Sequence, residues 1–529
     1  MTASGAKKII FIAGLALFSA LVAVYVCLSL RDNGQMSYPL DDAYIHMAIA
    51  KNFAQHGTWG ITRHEFTSTT SSPLYTFLLA LVFLVTGPND YVPLALNISF
   101  GLLFLYTLYR FAQARLDAVS YGICNTLVIL LTPLHILVIS GMEHMLQVLL
   151  VFWLTVLVLR SDSREDFSLR EAAPMLLCSG AAVMTRYEDI FLVGCLSLLL
   201  MYRKKFSAAV LLIVAGLVPV IVYGLVSLSK GFFFFPNSIL LKGAFPELSL
   251  RGLYFALYRA MRITALYAIH LVGAVFLLGT TVYVLRSAQK EVFVYLRRGE
   301  LQCALILTIV AHTLFASVGW FFRYEAYLIA LTVIWSHPLY TYASAPLKAL
   351  FSARRVAFAL SIVLCFSLLF LRLYDSVDDG RYAMKNIHEQ QVQMARFLQA
   401  CYPRVSIAAN DIGAISYYND LRLFDMAGLG NAEVIRDTTK PRRLFFERMC
   451  AEKQVQIAII YDSWFKGEIP EGWIKAGEWT IRNNHICGDS TVSFYAVGED
   501  HLAHLTSSLK SFSRKLDQDV VQRGLFTLE

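Results

Sequence analysis

The sequence predicts a polytopic α-helical membrane protein closed by a C-terminal extracytoplasmic α/β domain, and three observations predict it. The 529 residues are 57% hydrophobic and only 16% charged, where a soluble chain is about a quarter charged. Mean hydropathy is +0.55, and the apolar residues come in runs close to the ~20 that carry a helix across a bilayer. From Asp375 onward the composition changes. There 18 Lys and Arg stand against 21 Asp and Glu, so the net charge of +8 rests on a surplus of 11 in the residues before. The basic loops of a membrane chain account for that surplus, and no nucleic-acid partner is implied.

The first run, Ile9–Leu30, follows Lys7 and Lys8. It is longer than a signal-peptide core and no A-x-A site precedes Arg31, so it is expected to stay as an anchor. Further spans are expected near residues 91–110, 119–138, 142–159, 171–186, 189–202, 206–229, 265–285, 301–319, 325–345 and 356–374, about 11 in all. This layout puts six basic clusters on one side: Lys7/Lys8, Arg110/Arg115, Arg160/Arg164/Arg170, Arg203/Lys204/Lys205, Arg286/Lys290/Arg297/Arg298 and Lys348/Arg354/Arg355. That side is the cytoplasm, which makes the N-terminus cytoplasmic and suits a bacterial inner membrane. Arg251, Arg259 and Arg262 do not fit, because they lie in the long outer loop before residue 265. Ser71–Gly87 is apolar but short, and counting it would invert the later loops; it reads as a juxtamembrane or re-entrant helix.

Residues 1–374 are then a transmembrane catalytic domain, with 31–90 as a first outer loop carrying juxtamembrane helices, and 375–529 are the outer α/β domain. In the tail, "RVSIAANDIGAISYY", "VQIAIIYD" and "STVSFYAVG" have the alternation of strands, and "NIHEQQVQMARFLQACY" that of an amphipathic helix. One pair among Cys401, Cys450 and Cys487 is a disulfide candidate, with the pairing open. The other six cysteines lie in or near apolar runs and are expected to pack there.

The conspicuous polar motifs fall on the face opposite the basic clusters: Asp41/Asp42, "SGMEH" (140–144), "TRYED" (185–189), "FFPNSILLKG" (234–243) and "GWFFRYE" (319–325). Basic residues are disfavoured there, so Arg186, Lys242 and Arg323 ask for a reason, and phosphate binding supplies one. Asp41 reads as an N-cap and Asp42 as a first-turn carboxylate; one of the two is also the candidate general base. Glu143, Glu188, His46 and Tyr324 complete the candidate substrate-binding set. Each has a plainer reading: Glu143 favouring a helix start, Arg186 and Glu188 pairing across a turn, the aromatics before Lys242 anchoring at the interface, Arg323 snorkelling. A divalent cation between Asp42 and Glu143 is the candidate cofactor. Asp411 and Asp425 read either as strand-end turn residues or as part of a surface over the pocket. No nucleotide cradle is evident, since "GLG" (428–430) lacks both the P-loop and the Rossmann spacing.

"DDAYIHMAIAKNFAQHGTW" followed by "TSSPLYTFLLALV" resembles the start of the GT-C membrane glycosyltransferases, in the bacterial branch that includes the arabinofuranosyltransferases. "SGMEH", "TRYED", "PNSILLKG", "FRYE" and the tail motif "NDIGAISYYNDLRLFDMAGLGN" follow in the expected order, so the resemblance covers roughly residues 30 to 431. It implies a polyprenyl-phosphate sugar donor, transfer on the outer face to an envelope glycan or lipid-linked acceptor, and Asp41 or Asp42 as the base. It also implies that outer-loop cations hold the donor phosphate. One departure stands out: Arg186–Tyr187–Glu188–Asp189 occupies the place of an Arg-Pro-Glu-Gly turn, which alters the loop and with it the sugar or acceptor. The competing readings are a transporter or flippase of a lipid-linked glycan, and a ligase using a diphosphate-linked oligosaccharide.

Overall fold

The computed structural model describes residues 3–161, 169–242, 254, 269–287, 296, 298–343, 353–439 and 441–527. Arg164, Arg251, Arg259, Arg262, Lys290, Arg297 and Lys348 of the basic loops lie outside the described residues. The membrane part is helical: α1 (Ala3–Asn33), α2 (Asp41–His56), α3 (Pro73–Thr86), α4 (Val92–Arg115), α5 (Ala118–Leu131), α6 (Leu134–Ile139), α7 (His144–Ser161), α8 (Leu169–Thr185) and α9 (Asp189–Tyr202). It continues through α10 (Phe206–Ser229), α11 (Asn237–Lys242), α12 (Ile269–Ser287), α13 (Glu300–Phe315), α14 (Ala326–Trp335), α15 (His337–Ala343) and α16 (Ala353–Ile387). Among the described residues, Ser4–Asn33, Val92–Arg115 and Phe206–Ser229 are long and apolar enough to cross a membrane, and seven further apolar helices have 10–17 residues. Val218, Val222 and Leu225 on α10 stay exposed, as side chains facing lipid do.

Several expected spans are cut by backbone chemistry. The run near 119–138 breaks at Thr132 and Pro133 between α5 and α6, where proline has no N–H to continue the ladder. The run near 325–345 divides at Ser336 into α14 and α15. Ser71–Gly87 contains α3, 14 residues long; at 1.5 Å per residue that is about 21 Å, short of a ~30 Å hydrocarbon core. It packs on α2 and α8. By contrast α16 does not stop near 374. It runs 35 residues, passes through one π turn at His388–Val392, and continues as α17 (Gln393–Cys401) into the tail.

The tail holds a six-stranded sheet of β1 (Ser406–Ala409), β2 (Arg422–Asp425), β3 (Ile457–Ile460), β4 (Trp473–Thr480), β5 (Thr491–Val497) and β6 (Val521–Gly524). The order is β2-β1-β3-β5-β4-β6. β1 pairs parallel with β2 and β3, and the other pairings are antiparallel. One face closes over an aromatic knot in which Trp479 and Phe494 ring centres are 4.4 Å apart and Phe397 of α17 lies 5.5 Å from Phe494. The other face carries Phe424, Ala458 and Ile460 against Phe445 and Phe446 of α20 (Arg442–Glu452), the helices α18 (Gly413–Tyr418) and α19 (Ala432–Arg436) preceding it in the chain.

Two expectations for the tail are corrected. "GAISYY" is the helix α18, not a continuation of β1. Its ends are both supplied by α2: the Asp41 carboxylate accepts from the Gly413 and Ala414 amides at 2.6 and 2.8 Å. Lys51, ten residues on, donates to the carbonyls of Ser416, Tyr417 and Asn419 at 3.0, 2.6 and 3.1 Å. An anion at the N-terminus and a cation at the C-terminus complement the helix dipole. The second correction concerns the cysteines: Cys401, Cys450 and Cys487 are all free thiols. Cys450 packs with Phe424 and Phe446, and Cys487 donates to Gln391 at 3.4 Å.

The junction leaves no room beside Gly413. A Cβ there would sit 2.1 Å from the Asp41 carbonyl oxygen and 2.8 Å from its carboxylate. Gly413→Ala is therefore expected to loosen the tail from α2, at a cost of about 1–3 kcal/mol. Thermal unfolding and limited proteolysis of the full chain in detergent will read this as a lower Tm and faster cutting near residue 420.

Candidate active site

The site begins where α2 begins. Leu40, not Asp41, occupies the N-cap position and no side chain caps the helix. Both aspartates stand in the first turn with their carboxylates turned outward. Successive helical residues are about 100° apart, so the two diverge. Asp41 points to the tail. Asp42 points into a cavity of about 260 Å³.

Asp42 receives two cations. Lys242, the last residue of α11, donates to both its oxygens at 3.0 Å, and Arg323 Nη2 donates to Oδ2 at 2.7 Å. The Tyr324 ring lies between two guanidiniums, 4.9 Å from that of Arg323 and 5.2 Å from that of Arg186. Arg186 in turn donates to Glu143 at 2.9 Å and to Glu188 at 2.5 Å. Behind it His46 Nε2 is 3.4 Å from Glu143, while its Nδ1 meets Thr70 and Thr76 at 3.0 and 2.9 Å. A continuous chain of polar contacts therefore runs from Asp42 through the Tyr324 ring to His46.

Local backbone explains why these groups converge. Gly141 has φ +68°, and a Cβ there would fall 2.4 Å from the Tyr38 ring; this tight turn, whose carbonyl accepts from Tyr75 at 2.8 Å, delivers Met142 and Glu143. The loop before Arg323 is held in an unusual shape. Phe321 and Phe322 have φ of 51° and 57°, a region non-glycine residues enter only when their surroundings hold them there. Arg372 of α16 provides the hold, donating to the Glu325 carboxylate and the Phe322 carbonyl.

The cavity collects Asp42, Arg186, Glu188, Lys242, Arg323 and Tyr324 from the sequence-derived set. Glu143 and His46 stand one layer behind, and Asp41 lies outside. Its other walls are apolar, from Val183 on α8, Ile190 and Phe191 on α9, Val220 and Ile221 on α10, Phe234 and Phe235 before α11, and Phe315. Ser71, Met142, Tyr187, Ser238 and Ser317 also line it; they sit inside or beside the motifs but carry no charge to mark them. Arg372 was open to recognition, as a lone charge in "LLFLRLY".

Electrostatics at the start of α2 separate the aspartates. Burial pushes the Asp42 carboxyl up, but Lys242 and Arg323 overcome it and hold the group well below the usual carboxylate range. Asp41 goes the other way: burial and the nearby Asp411 raise it to about 7, although two backbone amides favour its charged form. Asp411 is itself raised by burial against the hydrogen bonds from Tyr461 and Gln391, which donate at 2.6 and 2.7 Å. Asp425 is a turn residue, accepting from Ala427 and Gly430 at 2.9 and 2.6 Å. Its loop is pinned to the membrane part where Asn237 donates to the Gly428 carbonyl at 3.0 Å.

Asp42 and Glu143, the candidate metal pair, are each neutralised by protein cations. Among the described residues, the group able to surround an ion is instead Glu389, Asp517 and Asp519 in the tail. Lys385 stands among them, 2.6 Å from Asp519 and 3.3 Å from Glu389. Burial raises the Glu389 carboxyl to about 7, against the pull of Lys385. Divalent-cation use is compatible with this trio, and the ion would have to displace Lys385.

The helical membrane body, with its charged cluster at the head of an apolar cavity, and the α/β tail that follows it together have the fold of solved membrane proteins. The chain resembles ArnT from Cupriavidus metallidurans bound to undecaprenyl phosphate, at 12% identity and a TM-score of 0.53, over 92% of this chain and 99% of that one. It resembles the same protein in its apo state at 14% identity and a TM-score of 0.50, with the same coverage. A family described as a domain of unknown function (DUF8728) matches residues 385–495. No curated protein sequence matches.

Asp41, raised by burial and by the nearby Asp411 charge, has a pH signature. Asp41 moves from an ordinary 3.8 to about 7 in the folded chain, so the folded state holds this proton more tightly than the unfolded one. Its contribution to stability is present at low pH and falls as pH rises from about 4 to 7. Asp411→Asn, which removes the facing charge, is expected to flatten that fall, read as a smaller Tm difference between about pH 5.5 and 8.

Proposed function

We propose that the chain is a membrane glycosyltransferase. It moves a sugar from a polyprenyl-phosphate donor to a hydroxyl of an envelope glycan or lipid-linked acceptor. The observation that carries this is one cavity: apolar along α8, α9 and α10, and ending at Lys242 and Arg323 on Asp42. An isoprenoid tail suits the apolar walls, and a phosphate suits the two cations. The similarity to ArnT, whose structure was determined with undecaprenyl phosphate, supports the same donor class here.

In this reading about 11 segments cross the bacterial inner membrane, the N-terminus is cytoplasmic, and the cavity mouth and tail (375–529) face outward. Asp42 is the base. It takes the acceptor hydroxyl proton as the oxygen attacks the anomeric carbon, while Lys242 and Arg323 stabilise charge growing on the leaving phosphate. Arg186, fixed by Glu143 and Glu188, positions Tyr324 and the donor. Asp41 holds the tail. A divalent cation at Glu389, Asp517 and Asp519 would brace that tail and take no part in the transfer. In this reading the Arg186–Asp189 turn, which departs from the family's pattern, bears on the choice of sugar or acceptor.

The test is turnover of purified protein with a panel of polyprenyl-phosphate monosaccharides and envelope glycan extract, read as sugar transferred and polyprenyl phosphate released. Asp42→Asn is expected to lose about 10²- to 10⁴-fold in rate with donor binding kept, and Asp41→Asn to keep turnover wherever the tail stays docked. Arg323→Ala is expected to weaken donor binding. Normal turnover in Asp42→Asn would sink the base assignment. Donor binding without transfer, together with lipid flipping in liposomes, would establish transport instead.

A further inference from the structure

The proposed reaction meets a difficulty at Asp42. A base must accept a proton, yet this carboxylate has Lys242 on both oxygens at 3.0 Å and Arg323 on one at 2.7 Å. Two cations favour the charged form and make a poor proton acceptor. Those cations are also the ones a phosphate can reach. Arg186, the third cation of the cavity, already holds Glu143 and Glu188. Among the described residues, Lys242 and Arg323 hold Asp42 alone of the carboxylates.

We propose that the donor phosphate and Asp42 exchange partners: the phosphate takes Lys242 and Arg323, and only then is Asp42 free to accept a proton. The inference rests on the transferase reading and adds its order of events. The geometry suits an exchange. The Lys242 backbone is fixed, its carbonyl accepting from Ser317 at 2.8 Å, so only its side chain, 41% exposed, has to swing. Arg323 needs less. It keeps its contacts to Met142 and to the Tyr324 hydroxyl, and breaks a single bond from Nη2. Its buried Nε has no hydrogen-bond partner among the described residues, a donor that an anion with several oxygens would satisfy.

The titratable groups that face Asp42 come from several elements: Lys242 on α11, Arg323 on the loop before α14, Asp41 on its own helix, and Asp411 on the tail. Once both cations turn to phosphate, burial, the two aspartates and the phosphate itself all raise the proton affinity of Asp42. The step then balances. The acceptor O–H gives its proton to Asp42, its oxygen bonds to the anomeric carbon, and the carbon–oxygen bond to phosphate breaks with its electron pair on the phosphate. When the polyprenyl phosphate leaves, Lys242 and Arg323 return to Asp42 and drive its proton into water. No competent base exists without a seated donor phosphate.

The test is proton counting. Undecaprenyl phosphate is titrated into the full chain in phosphatidylcholine nanodiscs by calorimetry, in buffers of different ionisation enthalpy, at about pH 5.5. A carboxylate released from two cations takes up a proton between its lowered and restored affinities. Wild type is therefore expected to bind more protons than Asp42→Asn, by up to about one per site. Equal uptake in the two overturns the exchange. Lys242→Met keeps the carboxylate with one cation fewer and is expected to show weaker binding and a smaller uptake than wild type. Should Asp42→Asn fail to fold, unchanged uptake in Lys242→Met overturns the exchange on its own. The base assignment is read separately, from turnover of Asp42→Asn with sugar-loaded donor, so either idea can fail alone.

Discussion

Two neighbouring carboxylates at the start of α2 hold opposite halves of the protein. Asp41 accepts amides of α18 in the tail, and Asp42 accepts cations delivered by α11 and the loop before α14. Because they share one rigid helix start, the tail, α2 and the charged end of the cavity are registered to one another within the length of a side chain. Lys51 reinforces this from the same helix by closing the far end of α18. Charge in an apolar setting must be paired, and the pairs chosen here each join segments far apart in sequence.

A second device fixes Arg323. Its loop adopts a backbone that Phe321 and Phe322 would not choose, and Arg372, buried in α16, supplies the hydrogen bonds that keep it. The side chain that meets the donor phosphate in our reading is thus set by a residue in another helix. Tyr324, stacked between Arg323 and Arg186, passes the alignment across the cavity.

The sequence made the charged end of the cavity legible for a simple reason. Arg186, Glu188, Lys242, Arg323 and Tyr324 interrupt apolar runs where polarity is costly, so each needed a partner. Hydropathy could not say that Asp41 and Asp42 part company, because the partner of Asp41 lies some 370 residues away in a helix whose residues read as a strand. Ala-Ile-Ser-Tyr-Tyr has strand propensity, and burial on α2 overrides it. Serines and Met142 on the cavity wall left no trace, since small hydroxyls and thioethers are ordinary in membrane helices. Span ends were misjudged wherever a proline or a break divides an apolar run, as at Pro133 and Ser336.

The helix that leaves the membrane as α16 does not end where the composition changes. Its 35 residues reach about 50 Å and continue through a single π turn into α17, whose Phe397 lies at the centre of the tail's aromatic knot. The chemical boundary at Asp375 is therefore no mechanical joint. A torque applied to the tail, by a bound glycan strand for instance, would be carried along a stiff rod to Arg372 and so to the loop of Arg323. A protein built this way resists being cut into modules, and swapping its tail for that of a relative would disturb the helical body as well.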